Sequence, residues 1–266
     1  MVNDCEKNFK KITITTLVII ASLIFIPSVK AEEDYITLNQ GPKDVVKENE
    51  KVKETFKEKY EKFQKELQVK YNSQKNPTTR SSVYESVQFM NYPNYAQEKN
   101  YYCGPATIKQ ALQFLTGSSL AQSTYASHMS TDSQGSTYVY QMTNELKRYL
   151  GSTAAFHEIA GTTTSEAIGN LQGYGQMQYV EGKPMILHSL TNTLYMYNGR
   201  STGHYLTAIG YGGWHEGTFY MNNISEIVYV DTNTSNYGLG SVFGEFTDTV
   251  TNVANSVKNR YLILVN

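Results

Sequence analysis

Gln97-Glu98-Lys99-Asn100-Tyr101-Tyr102-Cys103-Gly104-Pro105-Ala106-Thr107-Ile108 is the stretch on which the reading of the whole chain turns. Ile108, Ala111, Leu112 and Leu115 recur as i, i+3, i+4, i+7, with Pro105 in the first turn and Gly117 just past the end. This spacing predicts a helix over 104–116 with Cys103 at its threshold. A thiol there meets unpaired backbone N–H groups and the positive end of the helix dipole, both of which favour the thiolate. Gly104 lets a substrate backbone come close, and Pro105 has no N–H to lose in the first turn. Six residues upstream of the cysteine, Gln97 carries an amide that could donate to an oxyanion beside the Cys103 N–H. Each feature alone is weak, because a Gln in a polar loop is usually just solvated and a free cysteine is usually a small buried hydrophobe.

A nucleophilic cysteine needs a base, and the chain has five histidines. His204 opens Gly203-His204-Tyr205-Leu206-Thr207-Ala208-Ile209-Gly210-Tyr211, whose period-two alternation predicts a strand that would fix the ring. His188 ends a second strand-like run and competes with it, while a core histidine satisfied by a carbonyl is the plain reading of either. His128, His157 and His215 read as surface loop residues. Asp231 closes the run Ile227-Val228-Tyr229-Val230-Asp231. A simple hairpin centred near Gly217 would set it opposite His204 as the acceptor that fixes the tautomer; starting an Asx turn is its simpler role.

Strands are predicted over 184–189, 204–211, 224–230 and 260–265, and further helices over 138–150, 164–172 and 246–258. Helices come first and most strands late, which points to an α+β fold with an antiparallel sheet rather than an alternating parallel one. Upstream, Val52, Phe56, Tyr60, Phe63 and Leu67 keep helical spacing, and Glu58–Lys62, Glu61–Lys65 and Glu66–Lys70 form i,i+4 pairs. One amphipathic helix over 42–71 follows. It must self-associate, pack on the following domain, shield a groove as a propeptide, or stand as a solvated stalk. Residues 72–82 are polar and turn-rich and read as a linker.

The 266 residues include 23 Lys+Arg, 24 Asp+Glu, 22 Tyr and two Cys. A net charge of −1, with no basic cluster interleaved with aromatics, argues against nucleic acid as a partner. Two cysteines build neither a disulfide framework nor a thiolate zinc site. Lys7, Lys10 and Lys11 precede an apolar run over 12–26, and Val29-Lys30-Ala31 supplies small residues for cleavage. Residues 1–31 therefore read as a secretory signal or an uncleaved anchor. Cleavage would leave Cys103 as the single cysteine of an exported protein, a setting in which an unpaired thiol needs a reason to exist.

Gln97 with Tyr102-Cys103-Gly104-Pro105-Ala106, then Gly203-His204-Tyr205 opening a strand and a later strand closing on Asp231, resembles the bacteriocin-leader-processing cysteine peptidases. These are family thirty-nine of the cysteine peptidases, with secreted stand-alone relatives, and the resemblance covers roughly 85–266. It implies a papain-like fold in which the cysteine-bearing helix packs on an antiparallel sheet. It also implies Cys103 as nucleophile, His204 as general base and acid, Asp231 as orienter, Gln97 in the oxyanion hole, and no metal or organic cofactor. Many relatives follow the Asp with Pro, where this chain has Thr232. The expectation is a peptidase domain over 83–266, preceded by a stalk or propeptide over 32–82. It would act on a peptide or protein substrate, in association with a cell wall or membrane surface. An amidase or transpeptidase on wall peptides, and a catalytically silent Tyr-rich binding module, are the competing readings.

Overall fold

The structure, a computed structural model, describes residues 37–74, 82–131, 137–215, 223–233 and 243–266. The chain divides into two units, Met1–Leu38 and Asn39–Asn266. The signal segment expected over 1–31 lies outside the described residues, as do residues 75–81 of the expected linker. Everything below concerns the second unit.

Its elements are α1 (Lys43–Gln74), β1 (Val83–Gln88), α2 (Cys103–Thr116), α3 (Gln122–His128), α4 (Val139–Leu150), β2 (Ala155–Ile159), α5 (Thr164–Val180), β3 (Met185–Leu190), β4 (Gly203–His215), β5 (Ile224–Asp231), β6 (Gly244–Thr249), α6 (Val250–Val257) and β7 (Tyr261–Val265). The strands form one sheet in the order β2-β7-β3-β4-β5-β6, every ladder antiparallel. β4 is long enough to share one edge between two partners: β3 pairs with residues 203–208 and β1 with 210–215. The expected α+β class, helices packed on an antiparallel sheet, is what the chain adopts.

Alternation along β4 sends side chains to two cores. Leu206 and Ala208 join Leu187, Tyr229 and Leu262 in a large cluster with Ala167, Leu171 and Met177 of α5 and Val250, Val253 and Val257 of α6. Ile209 faces the other way, packing with Val228, Val230 and Tyr92 against Phe114 of α2. So α2 covers one face of the sheet, and α5 with α6 covers the other.

Two predicted elements change. The segment 246–258 splits into β6 and α6. Phe246 reaches the same core from a strand, so its match to the helical spacing of Val250, Val253 and Val257 is coincidental. The helix foreseen over 164–172 runs on through Gly173 and Gly175 to Val180. Glycine is tolerated at 173 because the Tyr60 hydroxyl of α1 occupies the space a Cβ would need.

That contact belongs to a broad seat for α1. Val52 and Phe56 are buried in the main core, with Tyr60 and Phe63 packed against it. The Phe56 ring centre lies 4.7 Å from that of Phe156 and 5.9 Å from that of Tyr174. The Asn49 side chain donates to the His157 carbonyl at 2.7 Å and accepts from the His157 N–H at 2.9 Å. One amide thus satisfies the outward backbone pair of β2, the strand at the end of the sheet order. Lys53–Glu158 and Lys59–Glu181 ion pairs, each at 3.0 Å, flank the seat.

Candidate active site

Cys103 is the first residue of α2. The N-cap Tyr102 makes no side-chain cap hydrogen bond, and the Gly104 N–H of the first turn serves the sulfur. At the far end Gly117 adopts the left-handed conformation (φ 74°) and its N–H closes on the Gln113 carbonyl. Gly104 serves packing: a Cβ at this position would lie 2.9 Å from Cβ, Cγ2 and Oγ1 of Thr137. The room read at this residue from sequence is filled by a neighbouring side chain rather than left for a substrate.

His204 is the second residue of β4 and Asp231 the last of β5, so both stand at the rim of the sheet. The register differs from the simple hairpin by two residues: Asp231 pairs with Leu206, not His204. A shift of two keeps the same face, and the diagonal neighbours still meet. His204 Nε2 lies 2.7 Å from Asp231 Oδ1. With Nε2 engaged, Nδ1 is the nitrogen that can exchange a proton with Cys103.

Both partners are perturbed in the direction a thiolate–imidazolium pair requires. Burial alone would push the Cys103 thiol up. The hydrogen bond and charge of His204, with the Tyr205 and Gly104 backbone N–H groups, outweigh it and bring the thiol below its ordinary value. Burial alone would push His204 down, but the Asp231 charge and hydrogen bond, aided by Cys103, raise it above the ordinary imidazole range. Cys103 itself remains partly exposed.

The carboxylate behind the histidine is itself tied. Asp231 Oδ1 also accepts from the Asn233 N–H at 2.8 Å, and Oδ2 accepts from the Tyr197 hydroxyl at 2.7 Å. The Asn233 contact is the Asx turn expected of Asp231, whereas Tyr197, 34 positions earlier in a short 3₁₀ turn without periodic pattern, is not evident in the sequence.

Gln97 docks beside this network. Its N–H donates to the Thr232 carbonyl at 2.9 Å, and its Oε1 accepts from Thr232 Oγ1 at 3.4 Å. The two hydrogens of its amide are directed to the Lys99 and Asn100 carbonyls at 3.1 and 3.2 Å. The side chain therefore braces the turn leading to Cys103.

The remaining histidines stand apart. His188 pairs with Tyr205 across the β3–β4 ladder and stacks on its ring at 4.6 Å. Burial, then the charges of Arg260 and His204, hold it well below the ordinary imidazole value, a neutral core residue. The other three are not loop residues. His157 lies buried in β2 with Nδ1 3.1 Å from Thr143 Oγ1, His215 ends β4 against Glu85, and His128 ends α3 against Glu145. Among the described residues, no group of three or more His, Cys, Asp or Glu side chains converges as a metal ligand set would.

A helix-borne cysteine facing a histidine and an aspartate at the rim of an antiparallel sheet defines a cysteine-peptidase-type domain. The model of the Peptidase C39 like family matches residues 89–259, about two thirds of the chain, and the protein belongs to that family. No curated protein matches the sequence. The similar solved structures include two that are distant in sequence. The peptidase domain of Streptococcus ComA, a bifunctional ABC transporter involved in a quorum-sensing pathway, is 16% identical, with 66% of this chain and 98% of that chain covered at a TM-score of 0.43. Recombinant stem bromelain precursor is 11% identical, with coverages of 68% and 70% and a TM-score of 0.40.

Proposed function

We propose that the protein is an exported cysteine peptidase working through Cys103, His204 and Asp231. The observation that carries this reading is the 2.7 Å contact from Asp231 to His204 Nε2 behind a thiol that the same imidazole lowers. The charged, apolar and small-residue stretches of 1–31 support export.

The Cys103 thiolate attacks the scissile carbonyl carbon, and the carbonyl π pair moves to oxygen. The Cys103 backbone N–H and Gln97 hold that oxyanion, for which Gln97 releases one of its carbonyl partners. His204 donates its Nδ1 proton to the departing amine and the C–N bond breaks, leaving a thioester. Water then attacks the thioester while His204 takes its proton, and C–S cleavage returns the thiolate. Asp231 stabilises the imidazolium through Nε2. In these steps His204 relays the proton, giving it to the departing amine and recovering one from the attacking water.

The test is digestion of a mixed peptide library, read by mass spectrometry, with wild type and Cys103→Ala. The account expects new amine and carboxylate termini from wild type alone. Products joined to an added amine would indicate transpeptidation. No wild-type products, together with an unreactive Cys103, would leave the silent binding module as the better reading.

A further inference from the structure

We propose that Tyr197 is a positioning residue for the His204–Asp231 pair: its hydroxyl locks the carboxylate in the rotamer that aims His204 at Cys103. This deepens the peptidase reading and rests on it.

A carboxylate's terminal torsion is broad and nearly two-fold, so one hydrogen bond does not fix it. Here Oδ1 carries His204 Nε2 and the Asn233 N–H, and Oδ2 carries the Tyr197 hydroxyl. The three contacts come from three chain segments and leave the plane of the carboxylate little freedom. Without the phenol, Oδ2 would be a buried oxygen lacking its donor, and rotation to recover one would carry the His204 acceptor away.

Tyr197 is built to hold still. Its ring is 1% exposed within the main core, and its centre lies 6.3 Å from that of His204. Its backbone closes a 3₁₀ turn through N–H to the Leu194 carbonyl at 3.1 Å, and Asn198 follows in the left-handed conformation. Asp248 Oδ2 accepts from the Tyr195 N–H at 2.7 Å, pinning the turn from β6. Asn233 Nδ2 donates to the phenol oxygen at 3.4 Å, leaving its single proton for Asp231. Burial and the Asp231 charge keep the phenol protonated throughout the working pH range, so it remains a donor.

The experiment is a double-mutant cycle on the full chain, using Tyr197→Phe, Asp231→Ala and the double variant. It is read as the rate of iodoacetamide modification at Cys103, located by peptide mass spectrometry, at pH 6. Circular dichroism confirms folding, and Asp231→Asn replaces Asp231→Ala if the latter does not fold. A residue acting only through Asp231 has no effect once Asp231 is gone, whereas a merely structural residue costs the same in both backgrounds. The expected result is a loss of about tenfold for Tyr197→Phe in the native background and less than about twofold beside the Asp231 substitution. A difference between backgrounds smaller than about threefold overturns the assignment. A wild-type Cys103 no faster than free cysteine defeats the peptidase reading and this inference together, so the two failures are distinguishable.

Discussion

Phe56→Ala tests whether α1 belongs to the folded domain or merely precedes it. Phe56 is 2% exposed between Phe156, Tyr60 and Tyr174. Burying an aromatic ring removes roughly 150–250 Å² from water, or about 4–6 kcal/mol at ~25 cal/mol per Å², which is an upper bound. Measured Phe→Ala changes in cores cost about 3–5 kcal/mol, in agreement. For a domain of this size that is a fall of roughly 6–20 °C in melting temperature. The internal control is Val69→Ala on the same helix, where the side chain is 68% exposed and the change should stay within about 0.5 kcal/mol. Urea unfolding of both variants followed by circular dichroism reads the difference. Cys103 reactivity at neutral pH should stay within about twofold of wild type, because α1 rests on β2 and α5 rather than on α2. Equal stabilities for the two variants would refute the seat described for α1, and a solvated stalk would replace it.

Gly104→Ala should slow Cys103 modification by about ten- to a hundredfold, since relief of the 2.9 Å contacts with Thr137 displaces the start of α2 and a misplacement near 1 Å has that cost. Adding Thr137→Gly removes all three clashing atoms, and recovery of the rate checks the cause. Stability should fall with pH through His157, which burial, then the charges of Lys147 and Lys53, lower to about 4. Between the ordinary 6.5 and that value the unfolded chain holds the extra proton, so about 3 kcal/mol is lost as pH drops from 6.5 to 4. Urea titrations at pH 7, 5.5 and 4 should show this slope, and His157→Gln should flatten it. Asp231→Asn should lower kcat for any peptide cleaved by about a hundredfold or more with little change in KM, measured by steady-state kinetics.

The site was legible where local rules suffice. A cysteine before a helical spacing, a histidine opening an alternating strand and an aspartate closing another are local signals, and the fold brings Cys103, His204 and Asp231 together. The hairpin register was not legible, because it depends on where the turn falls and on bulges between Ala208 and Gly210 and between Gly212 and Gly213. The preserved face rescued the contact. Long-range partners left no local trace: Asn49 on the β2 backbone, Tyr60 against Gly173 and Tyr197 on Asp231 are joined only by the fold. β2 is not marked in the sequence because Ala-Phe-His-Glu-Ile holds a histidine and a glutamate; Lys53 of α1 pairs with Glu158, and Thr143 of α4 meets the His157 ring. Gln97, expected as an oxyanion donor, stands beside the turn leading to Cys103 with its amide directed to the Lys99 and Asn100 carbonyls, partners that no local pattern announces.

The most direct measurement is the pH dependence of Cys103 modification in wild type and His204→Ala. A thiol lowered by His204 should begin to react at lower pH than the ordinary value of about 8.5 allows, and lose that advantage when the imidazole is removed. A single rise centred near 8.5, unchanged in His204→Ala, would contradict the account.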